Sequence, residues 1–363
     1  MNVLFFSPIL SNLTNFRKEL ILRLLNDGYK VTLACDYVEE YDEFSRAGVT
    51  YIKVPIDRRG TNPIKEFKLL CTYYKIIKKQ HPDVVLTYTT KSSVYGGMAC
   101  RVLKTPYIIN NSGLFDPARI GKLFGAFLDM LHRLAYSKTS CLMYQNKNEM
   151  EVLNKVLNNK VPYRLIPGSG VNLERFSPLS YPEEGITRFI MICRIQKEKG
   201  IEEYLEAAIV LKNKYNNIEF HVLGSFDENY RERVLYLDTL GVIVYHEPVT
   251  DVRPFLLKSH CVVNPSYHEG MSNVLLEASA SARPCITSDC PGCNDIVDDG
   301  VNGYLAKVKN ARDLMAKMDL FFNLSYEEKK TMGLKGRKKV EVEFDRNIVI
   351  EAYLEEINKI GSK

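Results

Sequence analysis

The stretch "IPGSGVNLERFSPLSYPEEG", Ile166–Gly185, packs three prolines and three glycines into twenty residues. That density of breakers continues neither a helix nor a strand, so it reads as a connection between two folded parts. The same pattern lies on both sides of it. Upstream, "NVLFF", "KVTLAC", "TYIKVPI", "DVVLTYT", "PYIINN" and "SCLMYQN" are strand-like. Between them fall helical runs: "NFRKELILRLLNDG" with Phe16, Leu20, Ile21, Leu24 and Leu25 on one face and a stop at Gly28; residues 62–80, opened by Asn62 and Pro63; "SSVYGGMACRVL"; and a run from about Gly121 to Tyr136. Downstream the alternation restarts with "RFIMICRI", "GIEEYLEAAIVLKNKY" and "IEFHVLG", continues through "VIVYH", "CVVNPS", "PCITSD" and "GYLAKV", and gives way to helices from Asn310.

Alternating β and α runs imply parallel sheets covered on both faces. At 363 residues and 45% hydrophobic, the chain exceeds one ordinary core. The expected fold class is α/β, with two Rossmann-like doubly wound parallel-sheet domains facing across a cleft. The expected boundaries are 1–170 and 171–346, with the linker at about 166–185 and a last helix, 347–363, packing back on the first domain. Ligands of such sheets sit beyond the C-terminal ends of strands, where helix N-termini converge.

Charge divides the chain. Residues 1–170 carry 24 Lys+Arg against 14 Asp+Glu, a net of +10; the rest carries 25 against 30, a net of −5. The basic half suggests an anionic partner, whether nucleic acid, phosphorylated lipid or membrane surface. No recognition helix or aromatic-rich binding motif supports nucleic acid. No apolar run is long enough to span a bilayer. The start "MNVLFFSPIL" reads as a strand rather than a leader, and nine scattered cysteines read as reduced thiols, so a cytoplasmic protein is expected.

The second half holds the chemistry-bearing stretch "HEGMSNVLLEASASARPCITSDCPGC", His268–Cys293. Strand "CVVNPS" ends at Ser266 and a helix starts near Ser272, capped by Ser272 or Asn273. The N–H groups of Gly270, Met271 and Ser272 would then be free for an anion such as a diphosphate. Glu269 precedes that site and is placed for sugar hydroxyls. Glu277, the one charge on a nearly uncharged helix, suits a ribose diol. In "CRIQKEKG", Arg194 and Lys199 follow a strand end, where two cations would neutralise a diphosphate. Cys290 and Cys293 have C-x-x-C spacing without the further ligands zinc needs.

"PSYHEGMSNVLLEASASARPCITSDCPGCNDIV" resembles the donor-site signature of the family 4 glycosyltransferases, E-x₇-E after a Pro-Ser strand end. "CRIQKEKGIEEYLEA" resembles their Arg…Lys-Gly phosphate loop, and "PGSGVNLERFSP" their interdomain connection. "TYTTKSSVYGGMACRVLKTPYI" with Gly113–Phe115 resembles the branch that builds bacterial surface polysaccharides and lipid-linked oligosaccharides. The resemblance covers nearly the whole chain and implies the GT-B fold, an N-terminal acceptor domain and a C-terminal donor domain. It implies a retaining enzyme that moves a hexose or N-acetylhexosamine from a UDP-sugar to a polyprenyl-diphosphate-linked saccharide. Carried onto this chain, Glu269, Arg194 and Lys199 are catalytic; Glu277, Gly270, Met271, Ser272 and Asn273 bind the donor; Asn111, Ser112, Phe124 and Phe127 lie on the acceptor side. No metal or other cofactor is expected, and no Asp-x-Asp is present.

Two departures from the family stand out. "SPILSNLTNFR" lacks the glycines of the family's N-terminal loop, and "NNSGLFDP" lacks a histidine, so no catalytic His is assigned; His132 reads as structural or exposed. Two basic amphipathic helices bear on membranes. Residues 63–80 read better as an apolar stripe on the sheet with solvated lysines. Residues 118–138 fit that reading and an anionic membrane surface equally. The expected location is the inner face of the cytoplasmic membrane. The rival functions are a nucleotide-sugar epimerase or hydrolase on the same fold and a non-catalytic scaffold that binds sugar nucleotides.

Overall fold

The computed structural model describes residues 1–362 apart from 58–59, 61, 112–121 and 228, and the side chains of 122–124. It divides into two compact units, Met1–Ser169 with Asn347–Lys363, and Gly170–Arg346.

The first unit is built on β1 (Asn2–Ile9), β2 (Lys30–Asp36), β3 (Thr50–Lys53), β4 (Val84–Tyr88), β5 (Tyr107–Asn110), β6 (Cys141–Tyr144) and β7 (Tyr163–Leu165). All pairings are parallel, in the order β3-β2-β1-β4-β5-β6-β7. Its helices are α1 (Leu10–Phe16), α2 (Lys18–Asn26), α3 (Asp42–Arg46), α4 (Pro63–Gln80), α5 (Thr90–Leu103), α6 (Lys122–Tyr136) and α7 (Lys147–Val156). Alternation along β1 sends Val3 and Phe5 into one core layer and Leu4 and Phe6 into the other. A strand buried on both faces therefore reads as an unbroken apolar run.

The second unit repeats the plan with β8 (Thr187–Ile192), β9 (Ile218–Leu223), β10 (Val244–His246), β11 (Cys261–Asn264), β12 (Cys285–Ser288) and β13 (Gly303–Ala306), in the order β10-β9-β8-β11-β12-β13. Its helices are α8 (Ile201–Lys214), α9 (Arg231–Thr239), α10 (Arg253–Lys258), α11 (Asn273–Ala280), α12 (Ala311–Phe322) and α13 (Tyr326–Glu343). The last helix, α14 (Arg346–Gly361), places Val349, Ile350, Tyr353, Leu354 and Ile357 in the first unit's core beside Leu20 and Ile21. The Asn110 amide donates to the Tyr353 hydroxyl at 2.6 Å.

The connecting segment packs along its length: Val171 and Phe176 are buried in the second unit, and the Tyr181 hydroxyl donates to the His260 carbonyl at 3.0 Å. Its apolar residues outweigh its breakers, and the division falls at Ser169/Gly170. Two expectations further upstream are corrected. The single helix expected over 15–28 is two, broken at Arg17. The glycine-free segment "SPILSNLTNFR" is the irregular end of β1 followed by α1, rather than a loop. Pro8 has no N–H for the ladder, and the register shifts between Phe6 and Ile9. Sequence reading missed α7 and β7, which follow "SCLMYQN" directly.

Candidate active site

In the second unit the strand order reverses between β8 and β11, which pair directly. The loops leaving their C-terminal ends therefore open beside each other, at the point where doubly wound sheets bind ligands. The β8 loop carries Arg194 and Lys199; the β11 loop carries Glu269. The two loops are joined. The Tyr267 N–H donates to the Glu198 carbonyl at 2.9 Å, and a β-carbon on Gly200 would strike the Pro265 carbonyl. Gly200 also sits at φ 76°, so both the space and the conformation call for glycine.

This arrangement sets Lys199 against Glu269, Nζ to Oε1 at 2.5 Å, with both side chains mostly buried. The Ser266 hydroxyl donates to the same carboxylate oxygen at 2.8 Å. Arg194 is more exposed and pairs with Asp227 at 3.0 Å. Each predicted cation thus has a carboxylate partner in the free protein.

Glu269 leads into α11. Ser272 takes the N-cap position, but its side chain does not cap the helix. It is buried and accepts from the Asn264 amide at 3.1 Å. The expectation of a free Ser272 N–H is also corrected, because it donates to the Gly292 carbonyl at 2.9 Å. The helix's own first N–H groups, at Asn273, Val274 and Leu275, have no intrahelical acceptor and carry the positive end of the dipole. Met271 turns its side chain into the core with Leu275, Leu276 and Ile296.

The Cys-Pro-Gly-Cys turn is the floor of this loop. Gly292 has φ +78°, and a β-carbon there would lie 2.6 Å from the carbonyl oxygens of both Glu269 and Gly270. Cys290 and Cys293 are buried free thiols, with Cys290 donating to the Ser266 carbonyl at 3.5 Å and Cys293 accepting from the Asn264 amide at 3.8 Å. Ser266, Asn264 and Gly292 escaped sequence reading. Only the S-x-x-E spacing from Ser266 to Glu269 carried a signal, since Ser and Glu three apart recur as a paired turn motif.

Glu277 lies just over one turn into α11 and is half-buried, with its pKa raised to about 7. Desolvation is the main cause; Arg346 and Arg175 oppose it and Asp251 adds to it.

In the first unit, Asn111 is buried at the end of β5 and donates to Glu149 at 3.5 Å. Phe127 is on α6, 48% exposed. Ser112 and the Phe124 side chain lie outside the described residues. His132 is buried edge-on to Tyr136, and burial lowers its pKa.

Two family models match: "Glycosyl transferase 4-like" over residues 2–146 and "Glycosyl transferases group 1" over residues 187–323. The chain is 26% identical to an N,N'-diacetylbacillosaminyl-diphospho-undecaprenol alpha-1,3-N-acetylgalactosaminyltransferase of Campylobacter jejuni, over 99% of both chains. It is 25% identical to a UDP-Gal:alpha-D-GlcNAc-diphosphoundecaprenol alpha-1,3-galactosyltransferase of Escherichia coli, over 84% of this chain and 82% of that one. In fold it resembles a glycosyltransferase of Rickettsia africae at a TM-score of 0.77, with 18% identity over 99% and 98% of the two chains. With two doubly wound units and both family models in order along it, the chain belongs to the GT-B glycosyltransferases, 4-like in its first part and group 1 in its second.

Proposed function

We propose that this glycosyltransferase moves a hexose or N-acetylhexosamine from a UDP-sugar to a polyprenyl-diphosphate-linked saccharide, with retention. The observation that carries the reading is the Lys199–Glu269 pair at the β8/β11 switch point, directly before the N-terminus of α11. In the transfer the bond from the sugar's anomeric carbon to the diphosphate breaks. A bond to an acceptor hydroxyl forms, and that hydroxyl's proton is taken up by the departing diphosphate. Negative charge grows on the departing diphosphate. Lys199, Arg194 and the N–H groups opening α11 are fixed positive groups for that charge, which is electrostatic catalysis without a metal.

Donor binding exchanges partners. The diphosphate draws Lys199 from Glu269, and the released carboxylate accepts the donor sugar's hydroxyls. Glu277 takes the ribose diol, and the backbone of Gly270 to Asn273 lines the phosphate and sugar. Asn111, Ser112, Phe124 and Phe127 belong to the acceptor side. The acceptor class is supported by both relatives, whose names carry an undecaprenyl-diphosphate saccharide. Uridine is supported by the UDP-Gal of the second name. An α-linked donor handled with retention yields an α linkage, the one in both names. Such an acceptor is anchored in a bilayer, and no described helix is long and apolar enough to cross one. Our reading puts the chain at the inner face of the cytoplasmic membrane, acting peripherally; the lipid-linked acceptors in the two relatives' names support it.

Calorimetric titration of UDP, GDP and ADP into wild type and Glu277→Ala tests the donor site. Tight binding of UDP alone, weakened in the variant, is expected. No nucleotide binding by folded wild type would remove the site.

A further inference from the structure

Helices α4, α5 and α6 pack side by side, with α5 in the middle. Their inward faces are occupied: Leu69, Tyr73 and Ile76 of α4 and Val94 and Cys100 of α5 join Leu4 and Phe6 of β1 in the core. Each helix carries a second apolar stripe that does not face the sheet. On α4 it runs through Ile64, Phe67, Cys71 and Tyr74, at helical spacing. Ile64 is 68% and Phe67 66% exposed, so the reading of this helix as a stripe simply laid on the sheet leaves them unaccounted for.

The stripes enclose a groove of about 530 Å³, a size typical of small-molecule sites. Leu70, Cys71 and Tyr74 form one wall, Met98 and Ala99 the floor, Leu134 of α6 the other wall, and Val102 stands at the opening. The wall is almost wholly apolar although Lys75 and Arg101 contribute to it. The Lys75 stem lines the groove and its ammonium reaches the lip, while the Arg101 guanidinium donates to the Leu134 carbonyl at 2.8 Å and the Ser137 hydroxyl at 3.0 Å.

Around the groove the charge has one sign. Lys68, Lys75, Lys78 and Lys79 are exposed on α4, and Lys104 and Lys138 follow α5 and α6. The only acidic side chains on the three helices are Glu66, held by Lys91 at 2.5 Å, and Asp129. An apolar groove ringed by exposed lysines complements an anionic lipid surface: chains enter the groove and phosphates meet the ring. We propose that the α4–α5–α6 face docks on an anionic bilayer and that the groove holds an acyl chain of an anionic phospholipid. This deepens the peripheral-membrane part of the function proposed above and rests on it.

The chain has no tryptophan, so one introduced residue becomes a clean reporter. Val102→Trp places it at the opening of the groove, at a side chain 69% exposed, where folding should be unaffected. Tyr236→Trp, at a side chain 64% exposed on α9, is the control. Both full-length variants are mixed with phosphatidylglycerol/phosphatidylcholine vesicles whose acyl chains are brominated. Quenching and a blue shift are expected for Val102→Trp and not for Tyr236→Trp. The triple substitution Lys75→Gln, Lys78→Gln, Lys79→Gln should weaken vesicle binding by about 100-fold, at roughly one surface charge each. Vesicle binding without quenching at Val102→Trp would put the docking face elsewhere. Quenching that appears only when polyprenyl phosphate is added would replace the phospholipid chain by a prenyl chain and overturn the assignment. No vesicle binding by wild type would overturn docking altogether. Transfer to a short-chain, water-soluble acceptor, measured on the same preparations, separates the two readings. Transfer without vesicle binding sinks the docking face alone; quenching without transfer sinks the catalytic reading alone.

Discussion

Glu277 gives the sharpest test of the donor site because its charge state changes where donor binding is measured. Its pKa of about 7 means that the free protein holds the carboxyl about half protonated near neutrality. A diol is bound best by the carboxylate, which accepts from both hydroxyls. The ionised fraction falls from about 0.9 at about pH 8 to about 0.1 at about pH 6, so UDP-galactose should bind about tenfold more weakly at the lower pH. A diphosphate diester does not titrate in that range, so the change belongs to the protein. Calorimetric titration at the two pH values reads it. Glu277→Gln should bind weakly and show no such dependence.

Stability runs the other way. A carboxyl whose folded pKa lies above its unfolded one binds its proton more tightly when folded. Its contribution is complete below about pH 4.5 and is lost as pH rises through about 7. The loss is on the order of 3 kcal/mol. Glu277→Gln should therefore raise the unfolding free energy at about pH 8 while lowering donor affinity. Equal affinity for the donor at both pH values in wild type, or the same pH dependence in the glutamine variant, would refute the assignment of Glu277 to the ribose.

Other outcomes follow from neighbouring residues. Glu269→Ala should lower kcat more than donor affinity, since Lys199 remains for the diphosphate; an unchanged kcat would remove Glu269 from the reaction. Lys199→Ala should weaken donor binding and lower the unfolding free energy by about 1–3 kcal/mol, because it strands the largely buried Glu269 carboxylate. Gly292→Ala forces a left-handed alanine against the Glu269 and Gly270 carbonyls, so it should cost about 1–3 kcal/mol in denaturant melts and raise donor KM. Chelation by EDTA should leave the transfer rate unchanged; its loss, restored by a divalent ion, would overturn metal-free catalysis.

Much of the fold was legible because buried parallel strands and their helices write distinct periods. "NVLFF" and "CVVN" are unbroken apolar runs, and α4 announces its start with Asn62–Pro63, whose amide side chain caps Ile64 and Lys65. The linker was harder, since prolines and glycines mark turns whether or not the chain between them packs. Val171 and Phe176 are buried by residues distant in sequence, which no local pattern reports. The break at Arg17 follows from burial of its guanidinium against Tyr88 and Tyr353, the latter 336 positions further along. At the site, residue types and order pointed to Glu269, Lys199 and Glu277. Sequence reading could not show that Lys199 and Glu269 hold each other, that the Ser272 N–H is spent on Gly292, or that Cys-Pro-Gly-Cys supports the glutamate loop. Each of these is a contact between loops from different strands.

In the proposed reaction a sugar passes from a nucleotide to a lipid-linked saccharide. Its most direct measurement is mass spectrometry of a short-chain polyprenyl-diphosphate saccharide incubated with the enzyme and UDP-galactose, UDP-N-acetylgalactosamine, UDP-glucose and UDP-N-acetylglucosamine in turn. The expected product is an acceptor heavier by one sugar residue with one of these donors, with UDP released in equal amount, and Glu269→Ala should lose it. Free sugar, or an epimerised donor, with the acceptor mass unchanged would contradict the proposed reaction.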